Sequence, residues 1–170
     1  SVGSALFPAQ LLAQSRKPAT IAEIATYNGG DRAELLYAGA KGEGKVTWYT
    51  SLAGDSYKAI ARAFETKYPG VRLDAYRAGG TELIPRMSEE AKARRPVVDA
   101  LETTEDSLLF AKTDHLIRPY FSPNVAKYPD TAKEKAERGL VFWTVIRESY
   151  LGFGYNKTQL SPGAVPKGFD

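Results

Sequence analysis

Three short strand-like segments, separated by helix-like segments between residues 45 and 102, constrain the fold of this chain more than any other feature. Residues 45–49 and 71–76 alternate apolar and polar side chains, as half-buried strands do. Residues 96–101 form a short, mostly apolar run of the kind found in buried parallel strands. Strands that alternate with helices build right-handed βαβ units. The sequence therefore predicts an α/β domain in three layers with a mainly parallel sheet.

Two stripes of apolar residues at helical spacing predict the helices that connect these strands. The first stripe consists of Tyr57, Ile60, Ala61, Phe64 and Tyr68, and the second of Leu83, Ile84, Met87 and Ala91. We expect the second helix to begin at Gly80 or Thr81. Pro85 would then fall in the first turn, where backbone N–H groups have no helical partner. A third helix is expected from Glu105, and two helical pieces within residues 21–41.

The sequence pattern changes in the C-terminal third of the chain. Residues 130–138 are rich in charged residues and are expected to form a short helix. Residues 140–146 and 149–156 are expected to form two consecutive strands. Gly152 and Gly154 interrupt the second of them, which is typical either of a close backbone approach or of a flexible crossing.

Composition excludes several classes of protein. The 170 residues include no Cys, so disulfides and thiolate metal sites are excluded. The net charge is +3, and the basic residues are interspersed with acidic ones, which argues against a nucleic-acid partner. No apolar run approaches the ~20 residues of a membrane-spanning helix. His115 is the single histidine, with no acidic cluster at ligand spacing, so we predict no metal ligands, catalytic residues or cofactor.

Each predicted strand ends in a loop rich in glycine and small hydroxyl residues. The carboxyl ends of parallel strands lie at one edge of the sheet, where open α/β folds bind ligands. A glycine pair before a helix lets backbone N–H groups approach an anion closely, and an arginine can clamp a carboxylate or phosphate. We therefore predict a site for a small anionic ligand at this edge. Its residues are Thr50, Ser51, Arg77, Gly79, Gly80, Thr81, Thr103, Thr104 and Arg147.

Ordinary structural roles explain the same residues and stay open at this point. The hydroxyl residues also suit helix N-caps, the glycine pair suits a tight turn, and an arginine is most often a solvated surface residue. If the glycine pair lines the site, valine at Gly79 and Gly80 should abolish ligand binding and leave the fold mostly intact.

The order of several segments resembles the N-terminal lobe of a periplasmic solute-binding protein of an ABC importer, in the branch that includes ferric-ion-binding proteins. The segments are residues 43–51 (EGKVTWYTS), 61–73 (ARAFETKYPGVRL), 79–101 (GGTELIPRMSEEAKARRPVVDAL), 115–123 (HLIRPYFSP) and 152–170 (GFGYNKTQLSPGAVPKGFD). Together they cover most of the chain from residue 43 onwards.

This resemblance implies the first lobe of a two-lobe fold that holds its ligand in the cleft between the lobes. Residues 19–149 would form the ligand-binding lobe, and residues 150–170 the hinge-crossing strand and a connector to a second lobe that the chain does not contain. Residues 1–18 would be an N-terminal arm or the remnant of a signal peptide. The resemblance also implies a monomeric periplasmic protein whose partner is a membrane permease.

The residues that would bind iron differ from the pattern of the family. Ferric-ion-binding relatives place a His or Tyr in the loop after the first strand and often an acidic ligand after the third. Here the first loop, residues 50–55, has neither, and Thr103 and Thr104 follow the third strand with Glu102 adjacent. An anion is therefore the expected ligand and ferric ion the alternative. An enzyme using carboxylates at this edge, or the effector-sensing lobe of a transcription regulator, are the other hypotheses.

Overall fold

The computed structural model describes residues 18–148 and 154–165. The α-helices are α1 Ile21–Thr26, α2 Arg32–Glu43, α3 Ser56–Lys67, α4 Gly80–Lys92 and α5 Glu105–Thr113. The strands are β1 Lys45–Thr50, β2 Arg72–Arg77, β3 Ala100–Glu102, β4 Lys133–Lys135 and β5 Val141–Thr144. Short 3₁₀ helices cover Pro123–Lys127, Asp130–Ala132, Glu137–Gly139 and Pro162–Ala164.

A three-stranded parallel sheet with the order β2-β1-β3 forms the centre of the fold. β1 pairs along its whole length with β2, from Lys45 opposite Arg72 to Thr50 opposite Arg77. On its other side β1 pairs with the shorter β3, where Thr50 lies opposite Glu102. The predicted α/β fold with a mainly parallel sheet is confirmed, and β4 and β5 form a separate antiparallel pair.

The main core lies between the sheet and α4. Tyr49 from β1 packs in one buried cluster with Ala78, Leu83 and Met87. The predicted apolar stripe of α4 supplies Leu83 and Met87, and burying such a side chain stabilises the fold by about 1.5–3 kcal/mol. The face of the sheet that carries Tyr49 is therefore closed by α4.

A polar network fixes α4 to the sheet beside this core. Arg86 Nε donates to the Tyr49 hydroxyl at 2.7 Å and to Glu90 Oε1 at 3.1 Å. The Tyr49 hydroxyl itself donates to Glu90, and the Val97 N–H donates to Glu90 Oε2 at 3.1 Å. The Arg86 guanidinium also lies 4.1 Å from the centre of the Tyr76 ring, a cation–π contact. One side chain on α4 thus joins the two neighbouring strands.

The charges of this network shift the pKa values of its members. Burial and the hydrogen bond to Glu90 raise the pKa of Tyr49. Burial also raises the pKa of Glu90, but the hydrogen bonds from Tyr49, Val97 and Arg86 outweigh it and hold that pKa below its usual value. Glu90 is therefore ionised in the folded protein at neutral pH.

The other elements pack around the sheet and at its side. α2 contacts β1, α3 contacts β2, and α4 contacts α5. The β4–β5 pair is extended by a bridge between Tyr120 and Val141, and Lys112 of α5 forms an ion pair with Glu134 of β4. α5 therefore contacts the antiparallel pair through this ion pair.

The sequence was wrong about residues 130–138, which do not form a helix. They form the 3₁₀ turn Asp130–Ala132, strand β4 and the 3₁₀ turn Glu137–Gly139. Asp130 bonds Lys133 at 3.1 Å and Lys135 at 2.6 Å. These charged side chains therefore pair within a turn that leads into a strand, and not along a helix.

Smaller differences concern the position of a proline and the lengths of strands. Pro85 is the sixth residue of α4 and lies in the second turn, not the first. β3 is three residues long, half the predicted run. Residues 154–156 are not in a strand, and residues 149–153 of the predicted crossing strand, with Gly152, lie outside the described residues. The proposed domain boundaries at residues 18 and 149 stay predictions.

Candidate functional site

Three strand ends lie side by side at one edge of the parallel sheet. Thr50 is in register with Arg77 on one side and with Glu102 on the other. The chain then continues from these ends into α3, α4 and α5, respectively. The three predicted ligand loops therefore leave the sheet at the same edge, which we call the ligand edge.

Thr50 and Ser51 hold a carboxylate of the protein itself. Thr50 is fully buried, and its hydroxyl donates to Glu102 Oε2 at 2.6 Å. The Ser51 N–H donates to the same oxygen at 3.0 Å. The Thr50 hydroxyl in turn accepts the Leu52 N–H at 3.1 Å. Thr50 is therefore engaged on both sides, and these two residues form a cradle for Glu102.

Two arginines flank this cradle. Arg77 is exposed, and its Nε donates to the carbonyl oxygen of Leu52 at 3.2 Å, which ties the end of β2 to the loop after β1. Arg147 follows β5, and its Nη2 lies 4.0 Å from Glu102 Oε1. Both predicted arginines thus lie at the ligand edge.

Gly79 and Gly80 play different roles at the start of α4. Gly79 is the N-cap residue, with extended backbone and no side-chain capping bond, and a Cβ there would meet no atom closer than 3.7 Å. A Cβ at Gly80 would lie 2.1 Å from Ser107 Oγ and 3.0 Å from Thr103 Oγ1. Gly80 therefore lets α4 approach α5, and this contact argues against the expectation that valine at Gly80 leaves the fold mostly intact.

The loop after β3 and the first turn of α5 carry three hydroxyl groups, those of Thr103, Thr104 and Ser107. Thr104 is the N-cap residue of α5, and its Oγ1 lies 3.2 Å from Oγ of the buried Ser107. A hydrogen bond from Thr104 and one from the Ser107 N–H lower the pKa of Asp106. Thr103 Oγ1 is buried and has no hydrogen-bond partner among the described residues. Thr104 thus occupies the N-cap position but makes no side-chain capping hydrogen bond, so the capping role proposed as the alternative is not seen for its hydroxyl. Thr81, on the first turn of α4, is exposed.

Sequence reasoning missed the roles of Glu102 and Ser107. Glu102 was noted as adjacent to the predicted site, but its carboxylate lies between the predicted site residues. Its signal in the sequence is its place as the last residue of β3, because a parallel register sets the ends of neighbouring strands side by side. Ser107 gives no such signal, since its contact with Gly80 depends on how α4 packs against α5.

The described residues contain no group of three or more His, Asp or Glu side chains that could hold a metal ion. Within the same part of the chain, no helix is long and apolar enough to cross a membrane.

Comparison with solved structures supports the fold. No protein-family model and no curated protein matches the chain. Iron-bound HitA from Pseudomonas aeruginosa is 22% identical, with a TM-score of 0.51, and the match covers 72% of this chain and 38% of HitA. Trichodesmium IdiA (FutA) in complex with iron and citrate ligands is 23% identical, with a TM-score of 0.47, and the match covers 57% of this chain and 30% of that one.

The chain therefore spans between 30% and 38%, about a third, of the length of these solved structures. At this identity, the likeness to HitA shows the fold. It confirms the predicted α/β architecture, which matches part of the larger fold of HitA.

Proposed function

We propose that this chain is the first lobe of a two-lobe solute-binding protein of an ABC importer. A small anionic ligand binds at the ligand edge, and a second lobe closes over it by a hinge motion. The closed form then delivers the ligand to a membrane permease. In this proposal the protein acts in the periplasm as a monomer, without a cofactor and without catalysis.

The observation that carries this proposal is the register of the three strand ends. Thr50, Arg77 and Glu102 lie in one row, so the loops that follow them can contact one ligand together. Such an edge is where open α/β folds bind ligands. A single helix terminus contributes only ~0.3–1 kcal/mol to an exposed charge, so useful affinity requires several loops and a closing lobe.

The side chains at the ligand edge argue against an enzyme. Covalent catalysis needs a nucleophile with a base in hydrogen-bond reach. The sequence has no Cys, and His115 follows the C-terminal end of α5, whereas the ligand edge lies at its N-terminal end. Glu102 already accepts two hydrogen bonds from its own chain. These residues support a binding role.

The proposed contacts divide the predicted site residues into two groups. Residues at the edge that do not support Glu102 or the packing of α4 contact the ligand, whereas Thr50 and Ser51 support Glu102 and Gly80 supports the packing of α4. The proposed ligand contacts are Arg77, Gly79, Thr81, Thr103, Thr104 and Arg147.

Ferric ion is the second candidate, favoured by the likeness to a protein whose structure is iron-bound. The described residues offer no cluster of three metal ligands, so most ligands would have to come from elsewhere in the full protein. Titration of the full-length protein with inorganic phosphate and, separately, with ferric ion distinguishes the two. If the protein binds ferric ion and shows no measurable binding of phosphate or another anion, ferric ion would replace the anion as the proposed ligand.

The variant Gly79→Val tests the site in the full-length protein. Native mass spectrometry first identifies any co-purified molecule, and calorimetry with inorganic phosphate follows. We expect Gly79→Val to weaken phosphate binding at least about tenfold, because a branched side chain would cover the first N–H groups of α4. The melting temperature should change little, since a Cβ at Gly79 meets only ordinary contacts.

Two further variants interpret that result. Gly30→Val places valine at a glycine with no atom within 4 Å, outside the three loops of the ligand edge, and should leave binding unchanged. Gly80→Val should lower the melting temperature, because its Cβ would overlap Ser107. Unchanged affinity in Gly79→Val would remove the start of α4 from the site.

A further inference from the structure

We propose that Glu102 positions Arg147 for the ligand, and that Thr50 and Ser51 serve the ligand indirectly by holding Glu102. This inference rests on the proposed function, because it assigns a task to a residue that the ligand itself need not touch. It converts two predicted ligand contacts into supports for a third.

The hydrogen bonds of Glu102 separate the tasks of its two oxygens. Oε2 accepts the Thr50 hydroxyl at 2.6 Å and the Ser51 N–H at 3.0 Å. Oε1 is the oxygen that faces Arg147, at 4.0 Å from Nη2. Bonds from a buried hydroxyl and from a main-chain amide fix the plane of the carboxylate. Oε1 is consequently held in a constant position toward the arginine.

The exposure of the two side chains fits a fixed Glu102 carboxylate and an Arg147 side chain that extends toward solvent. The Glu102 side chain is 13% exposed, whereas that of Arg147 is 47% exposed. An ion pair with a partner this exposed adds little to stability, because water screens it. Its value is orientation, since a guanidinium carries five N–H donors in one plane and can meet a carboxylate on one side and a ligand on another.

The pair also joins distant parts of the chain. Glu102 ends β3 of the parallel sheet, and Arg147 lies beyond the antiparallel strand β5. No register of the parallel sheet places Arg147 at the ligand edge, so its position there depends on tertiary contacts such as this one. Removing the carboxylate is therefore expected to weaken the hold on the guanidinium at the edge.

Charge removal gives a test in which positioning and simple electrostatics predict opposite signs. Glu102→Gln deletes a negative charge, which by Coulomb attraction alone would strengthen the binding of an anion. If Glu102 positions Arg147, the same change should weaken the binding of inorganic phosphate by about tenfold. The reason is that the Arg147 guanidinium would no longer make its charge-assisted contact with the phosphate. Calorimetry on the full-length protein measures the dissociation constant.

Two controls make the comparison specific. Glu105→Gln removes an exposed negative charge from the start of α5 and should leave phosphate affinity equal or slightly higher. Arg147→Gln should weaken binding, and adding Glu102→Gln to it should cause no further loss, because both changes remove one contact. Equal or tighter phosphate binding by Glu102→Gln, or additive losses in the double variant, would overturn the proposal.

A readout without ligand separates this inference from the proposed function. The order parameter of the Arg147 Nε–H group, from ¹⁵N relaxation, should fall in both Glu102→Gln and Thr50→Val and stay unchanged in Glu105→Gln. An unchanged order parameter would overturn the positioning role even if phosphate binds. Absence of phosphate binding with a reduced order parameter would instead overturn the anionic ligand and leave the positioning of Arg147 in place.

Discussion

At the scale of single residues, Thr50 shows why a hydroxyl at the end of a strand is hard to interpret from sequence. Small polar residues before a helix are typical of ligand loops and of caps alike. Thr50 instead hydrogen-bonds across the sheet to Glu102, 52 residues further along the chain. That partner is set by the register of β1 and β3, which local sequence does not contain.

Thr50→Val tests the energetic weight of this contact. Valine keeps the shape but removes a donor to Glu102 and an acceptor of the Leu52 N–H. Leaving such buried groups without partners should lower the free energy of unfolding by about 1–2 kcal/mol, measured by urea denaturation. Thr66→Val, at an exposed helical threonine that bonds to the carbonyl of Arg62, serves as control and should cost less than about 0.5 kcal/mol. Equal losses in both variants would contradict the role assigned to Thr50.

At the scale of elements, α4 is the helix that the sequence predicted best. Its apolar stripe marked Leu83 and Met87, and both are buried. The spacing could not show that Arg86 and Glu90, on the same helix, reach Tyr49 of β1. Their i,i+4 spacing is typical of a solvated surface pair, whereas the Glu90 side chain is only 14% exposed.

This network predicts how stability depends on pH. The folded pKa of Glu90 lies below the ordinary value of 4.5 that represents the unfolded state. The ionised carboxylate therefore stabilises the protein fully above that unfolded value, and the contribution is lost as the pH falls through the lower folded pKa. Glu90→Gln should reduce the free energy of unfolding by about 1–3 kcal/mol at pH 7 and by much less at pH 3.

The adjacent Glu89 provides the matched control for that measurement. Its side chain is 73% exposed and pairs with Lys92 on the surface. Glu89→Gln should change stability little at either pH, because exposed ion pairs contribute little. The free energy of unfolding at pH 7 minus that at pH 3 should be smaller in Glu90→Gln than in the unaltered protein. Equal values in the two proteins would show that Glu90 is not the titrating group.

At the scale of the whole molecule, Arg32 attaches the N-terminal helices to the segment that follows α5. Its Nε donates to the carbonyl of Tyr27 at 2.9 Å and its Nη2 to the carbonyl of Phe121 at 2.8 Å. The guanidinium lies 5.6 Å from the centre of the Phe121 ring, and the Phe121 N–H donates to the carbonyl of Ala25 at 2.8 Å. Residues 89 positions apart are thus held by one side chain.

Arg32→Ala should loosen this attachment without unfolding the sheet. We expect amide hydrogen exchange to become about tenfold faster in α1 and at Phe121, because two hydrogen bonds to main-chain carbonyls are lost. Exchange in β1 should stay unchanged. Arg62→Ala, at an exposed arginine of α3, is the control. A uniform increase in exchange along the chain, or no increase at α1, would mean that Arg32 does not hold this contact.

Three features could be predicted from sequence: the order of strands and helices from α1 to α5, the apolar face of α4, and the edge at which the three loops meet. Each depends on local periodicity and on the geometry of parallel strands. Only the tertiary structure decided what occupies that edge. Glu102 lies between Thr50 and Arg147, and Ser107 requires a glycine at position 80. These contacts join residues distant in sequence, and their geometry follows from strand register and helix packing, which no local pattern of side chains encodes.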